Sequence, residues 1–332
     1  MVGPGLDHRQ LGSRSHDVGD LAAARQRQLE SAEAFKNTGR PAIHVIGSEL
    51  EALRIDIKQG QVAAALPQVE ARLAQVAAWW QRHRSGQTVP EAPDAENLAR
   101  AFIGALDIAR DADDARQDWQ SALRRLDATL EVKRALERPA EDIGGTRFNR
   151  ANVLMRLGRF GEARAELEAC LQLFQNKPDW IAKVLSSLAS LFKKQGDVAQ
   201  AITQQRRALA LREQLPDPAD RAISHHNLTN YLERHGTPSA VAESPRHQLA
   251  ALIYRLVANA GQALQTYLRN YAIAFRRARA AGTDLAVPRV AELLADPAFH
   301  PLDQWLRQRQ VDPAALQAAI DQFLTQARQA AS

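Results

Sequence analysis

The side chains that could do chemistry are few and mostly scattered. Four of the nine histidines, His225, His226, His235 and His247, fall in one stretch. His225 and His226 are consecutive, so on a helix they point about 100° apart and do not easily face one ion together. Neither a His-Glu-x-x-His pattern nor a carboxylate cluster at ligand spacing accompanies them, so no metal and no other cofactor is expected. The single cysteine, Cys170, excludes a disulfide framework and disfavours a cysteine-rich zinc site. It stands twelve residues after Gly158, at a packing position, which predicts a buried, inert thiol. Gly144-Gly145 lacks the strand and the Lys-Ser/Thr of a phosphate loop and reads as a linker. No serine sits in a strand-turn-helix context. The sequence therefore predicts a protein that is not an enzyme.

Polar recognition, by contrast, is patterned. Six side chains stand nine and six positions before three glycines: Asn149 and Asn152 before Gly158, Ser187 and Ser190 before Gly196, Asn227 and Asn230 before Gly236. An amide offers both a donor and an acceptor, so such a column can hold an extended peptide backbone without reading its side chains. Arg156, Lys183 and Lys193 add positive charge for an acidic ligand. The other reading is a structural ladder, in which these groups hydrogen-bond between neighbouring helices; both stay open. Gln10 and Ser13 before Gly19, and Glu51 and Arg54 before Gly60, confine the amide column to the second half. A second candidate surface is basic. Arg206, Arg207 and Arg212 form one group, and Arg269, Arg276, Arg277 and Arg279 follow Tyr254, Tyr267 and Tyr271. Arginine interleaved with tyrosine can grip phosphates and stack on bases, which makes a nucleic-acid-binding helical protein the alternative function. The same pattern also fits an amphipathic helix with a tyrosine core and a solvated arginine face.

The elements that must position these residues are helices. Of 332 residues 45% are apolar and only 5% aromatic; Ala, Leu, Arg and Gln dominate, which favours helix over sheet. A formal charge of +5 is too diffuse to mark a nucleic-acid binder by itself. No stretch approaches the roughly 20 apolar residues of a membrane span, and the start lacks the apolar core of a signal peptide, so a soluble, cytoplasmic protein is expected. A repeat is visible on the glycines Gly19, Gly60, Gly158, Gly196 and Gly236. Five residues after the first four stand Ala24, Ala65, Ala163 and Ala201, with Val241 after the last; thirteen after stand Ala32, Leu73, Leu171, Leu209 and Leu249. Small residues let two antiparallel helices approach, and the glycine supplies a left-handed turn. No turn glycine occurs between Asp94 and Arg138, but Trp119, Ala122, Leu126 and Leu130 look like the second helix of a degenerate repeat.

The segments LMRLGRFGEARAELEACLQLF and LASLFKKQGDVAQAITQQRRALALREQLP resemble tetratricopeptide repeats. The spacing near 40 is similar to the extended-helix subgroup found in kinesin light chain and in bacterial signalling proteins. The resemblance covers Gly145 to Pro216 and, more loosely, Leu6 to Lys36, Ile46 to Trp80 and Arg221 to Gly236. It implies an all-α, right-handed superhelical solenoid of helical hairpins whose first helices line a concave groove. In that groove Asn149, Asn152, Arg156, Ser187, Ser190, Lys193, Asn227 and Asn230 would hold a protein or peptide ligand. The expected organisation is repeats over 1–81, an inserted loop over 82–94, repeats over 95–245 and a helical cap over 246–332. Within the cap, a break is expected near Asn259 to Gly261. Leu11-Gly12 falls inside a first helix so soon after Met1 that the chain is expected to belong to a larger multidomain signalling protein or to meet a partner there. The implied function is a non-catalytic scaffold or sensor for protein–protein interaction.

Overall fold

The structure, a computed structural model, describes residues 18–258, 261–282 and 288–329. Only helices occur among them. Eleven run in succession before the C-terminal extension: α1 (Val18–Asn37), α2 (Ala42–Lys58), α3 (Val62–Arg84), α4 (Ala95–Ala115), α5 (Trp119–Ala135), α6 (Ala140–Arg156), α7 (Phe160–Leu173), α8 (Pro178–Gln195), α9 (Val198–Arg212), α10 (Pro218–His235) and α11 (Pro238–Val257). There follow α12 (Gly261–Ala280), α13 (Val290–Ala295), a 3-10 turn (Pro297–Phe299), α14 (His300–Gln308) and α15 (Pro313–Gln329). The chain divides into two compact units, Met1–Glu166 and Leu167–Ser332.

The glycine register organises both units. Gly60, Gly158, Gly196 and Gly236 all have positive φ, between 73° and 88°, and each joins the two helices of a hairpin. In the degenerate repeat the same turn is made by Gln117, at φ 60°, between α4 and α5. Counted from that residue, Ala122 and Leu130 fall at the five- and thirteen-residue positions, and both are buried. Ala65, Ala163 and Ala201 are buried to 1% exposure or less, as the close approach of paired helices demands. Gly19 does not mark a turn between described helices; it lies inside α1. Ala24 and Ala32 are nonetheless buried, and α1 packs against α2. Gln10, Leu11, Gly12 and Ser13 lie outside the described residues. Gly144 and Gly145 are not a linker but part of α6, which starts after Pro139.

In the first unit, α2, α3 and α4 enclose one core of Ile46, Leu50, Val69, Val76, Leu98 and Leu106. The expected inserted loop begins after Arg84, and its Val89 and Ala92 are buried in the same cluster as Trp79 and Trp80. In the second unit, α11 is continuously buried from His247 to Tyr254. It packs with Tyr267, Leu268 and Tyr271 of α12 and with Phe299, Leu302, Trp305 and Leu306 of the terminal helices. The long C-terminal pattern starts earlier than expected, at Pro238, and α11 stops at Val257; Asn259 and Ala260, at the expected break, lie outside the described residues.

Candidate functional site

In the second unit α8 and α10 are built alike. Each starts with proline in its first turn, behind Lys177 and Asp217 respectively, and each ends on a left-handed glycine, Gly196 and Gly236. The matched ends place Ser187 and Ser190 on α8 at the same helical positions as Asn227 and Asn230 on α10. Ala189 of α8 and Tyr231 of α10 share one small apolar cluster with Ala201, and the Lys193 ammonium lies 5.9 Å from the Tyr231 ring centroid. Lys183 reaches back to Asp179 at 4.0 Å and over Trp180 at 4.9 Å. Ile223, one turn before Asn227, is the one large apolar side chain classed as exposed among the described residues, at 38%.

Ser187, Ser190 and Asn227 are half-buried and Asn230 is exposed. Asn230 bonds within its own helix, to His226 Nε2 at 3.2 Å. Ser187, Ser190 and Asn227 make no side-chain hydrogen bond to any described residue. In the first unit Asn149 and Arg156 are exposed and Asn152 is half-buried. Their amides are likewise without partners among the described residues, and Arg156 lies 5.6 Å from the Trp119 ring centroid. Arg150, between the two asparagines in sequence, takes the structural role instead, bonding Asp127 at 2.7 Å and Glu166 at 3.0 Å.

The corresponding positions on α2 and α4 differ in kind. Arg54 pairs with Glu51 at 3.2 Å. On α4 the position six before Gln117 is Asp111, one of three carboxylates on a single face. Arg110 spans them, 2.7 Å from Asp111, 2.7 Å from Asp114 and 3.9 Å from Asp107. Burial pushes the Asp107 and Asp114 carboxyls above their ordinary range, and Arg110 opposes that shift.

The arginine–tyrosine surface is not assembled as a stacking platform. Tyr254, Tyr267 and Tyr271 are all buried, so no ring is free to stack on a base. Arg212 is buried too and donates to Ser224 Oγ at 2.6 Å, while Arg206 pairs with Glu243. Arg269, Arg276, Arg277 and Arg279 remain exposed on α12.

One cluster escaped the sequence reading. The fully buried His225 meets His247 of α11, Nδ1 to Nδ1, at 2.9 Å. His226 takes a different partner, Gln248, at 3.0 Å. The two histidines thus diverge, as their 100° separation requires, and each pairs with the residue 22 positions on. No group of three or more metal-ligating side chains occurs among the described residues. Cys170 is fully buried. No described helix is long and apolar enough to cross a membrane.

Residues 142–214, spanning parts of both units, match the family model for the tetratricopeptide repeat. Within those residues the chain carries tetratricopeptide-type repeats. No curated protein matches it. Among solved structures it is similar to a Podosopora anserina protein of kinesin light chain type with nearly identical TPR-like repeats. That likeness is at 17% identity, covers 64% of this chain and 96% of the other, and has a TM-score of 0.50. It is also similar to the apo form of RapI at 12% identity, over 79% of this chain and 74% of the other, with a TM-score of 0.50. BtubC of P. vanneervenii aligns at 17% identity over 71% and 92%, with a TM-score of 0.49. At these identities the two likenesses with a TM-score of 0.50 speak for the fold of paired helices alone.

Proposed function

We propose that this tetratricopeptide-repeat protein is a non-catalytic binder of an extended polypeptide segment, held along α8 and α10 by Ser187, Ser190, Asn227 and Asn230. Asn149, Asn152 and Arg156 present the same chemistry on α6, and Lys193 supplies charge. The supporting observation is that five of the six amide and hydroxyl side chains have no hydrogen-bond partner among the described residues. A ladder between neighbouring helices would have used them. Groups left half-exposed and unpaired keep their full capacity for a ligand backbone, and a pre-formed stack of helices lowers the ordering cost on the receptor side. A scaffold or sensor role, in the cytoplasm and within a larger signalling assembly, fits this reading.

The test is a selection of displayed random peptides on the intact chain, followed by titration of an enriched peptide against Asn227→Ala/Asn230→Ala. The expected outcome is peptide binding that the double variant weakens at least tenfold at unchanged melting temperature. Enriched peptides that bind the variant equally well contradict the assignment. Binding of single-stranded nucleic acid through α12, steeply lost with salt, would favour the alternative instead.

A further inference from the structure

We propose that the contact between His225 and His247 is an acid-sensitive latch that holds α10 against α11 and seats the C-terminal helices on the pair. The argument starts from geometry. Two imidazole nitrogens 2.9 Å apart share one proton; a proton on each would set two N–H groups against one another. His247 Nε2 already faces the Glu243 carboxylate at 2.9 Å, so its proton resides there. The pair therefore holds its contact when neutral or singly charged, and loses it when both rings are imidazolium.

The surroundings make the second charge costly. From α9, Arg206 neutralises Glu243 at 2.7 Å, and Arg212 is buried beside Ser224, the residue preceding His225. Arg221 of α10 adds positive charge; Tyr254 of α11 stacks on His225 at 5.8 Å. The carboxylate facing His225 Nε2 is Glu213, 3.8 Å away just beyond α9. Burial, His247 and Arg221 together hold the His225 imidazole well below its ordinary range. Phe299, the last residue of the 3-10 turn, stacks on His225 at 5.9 Å and lies tilted against His247 at 5.1 Å. Parting the pair removes that seat.

The sign follows from linkage. His225 binds a proton less readily in the closed contact than in an opened one, so opening takes up a proton below about pH 6.5 and is favoured as pH falls. Glu213 acts oppositely. Its carboxyl is pushed up to about 7 by burial, against Arg221, so the closed form retains a proton that an exposed carboxyl would release.

Hydrogen exchange of the full chain at pH 7.5 and 5.0, corrected for intrinsic rates, tests the latch. In Glu213→Gln, which lacks the opposing carboxyl, opening of 238–254 and 290–306 should rise about tenfold per pH unit below 6.5, with 62–80 as an internal reference that does not change. In the unmodified protein the rise should be smaller, because Glu213 releases a proton as His225 takes one up. Added to Glu213→Gln, His225→Gln or His247→Gln, each leaving one ring, should abolish the rise, and either suffices if the other fails to fold. Equal protection at both pH values in Glu213→Gln overturns the proposal, as does an undiminished rise when either histidine is also replaced.

Discussion

The lines of side chains along the first helices of the two units solve opposite problems with the same backbone. On α4 in the first unit the line is charged and pairs with itself, with Arg110 bridging Asp107, Asp111 and Asp114. On α8 and α10 in the second it is neutral, and Ser187, Ser190 and Asn227 have no described partner. A self-paired line contributes to folding and has little left for a ligand. An unpaired line contributes little to folding and keeps its hydrogen bonds for something else. Position in a repeat therefore does not assign a role; the neighbours of each side chain do.

The contrast predicts unequal mutational effects. The largest belongs to Arg110→Met, which leaves three carboxylates facing one another. Urea denaturation should show a loss of about 2–3 kcal/mol, less than for a fully buried pair because the site is partly open to water. Part of that loss should be recovered as pH falls toward 4. If the variant is as stable as the parent, the first line is not self-supporting and the contrast fails.

The turns sharpen the comparison at a smaller scale. Gly196 at φ 88° has open space where a Cβ would go, so Gly196→Ala costs only backbone strain, about 1 kcal/mol. Gln117 at φ 60° carries that strain already, and Gln117→Gly should stabilise by a similar amount. Thermal unfolding of the two variants should therefore shift in opposite directions.

A smaller effect follows from the raised Asp107 carboxyl. It binds a proton more readily folded than unfolded, so its charge costs stability at neutral pH and the cost lessens as pH falls through its folded value. Asp107→Asn should raise stability at pH 7 by less than about 1 kcal/mol, since the half-exposed side chain is screened by water. Its unfolding should also depend less on pH between 7 and 4. A destabilised variant at pH 7 would show that the pairing with Arg110 outweighs the burial. Smallest of all is Asn227→Ala/Asn230→Ala, expected within about 0.5 kcal/mol of the parent by urea denaturation, as for surface changes.

Much of the fold was legible because it rests on steric rules with a fixed spacing. A left-handed residue ends the first helix, and a small side chain five later lets the second approach; Ala65, Ala163 and Ala201 carry that signal in the sequence itself. Gln117 was not legible as a turn, since nothing in a glutamine announces positive φ. The signal that located its repeat was Trp119, Ala122 and Leu130 beyond it. Gly144-Gly145 misled, because Pro139 sets the start of α6 one turn earlier and the helix tolerates both glycines. The amide column was legible as a pattern, but its two readings differ only in hydrogen-bond partners, which spacing does not specify. The His225–His247 contact depends on how α10 and α11 face one another, so two histidines 22 residues apart gave no sign of it.

Side-chain amide NMR of Asn149, Asn152, Asn227 and Asn230, with and without a selected peptide, tests the central claim most directly. The account predicts that in the free protein the amide protons of Asn149, Asn152 and Asn227 exchange at solvent-like rates. On adding peptide, those of Asn227 and Asn230 should shift and slow. An Asn227 amide already protected in the free protein, or unmoved by a bound peptide, would contradict it.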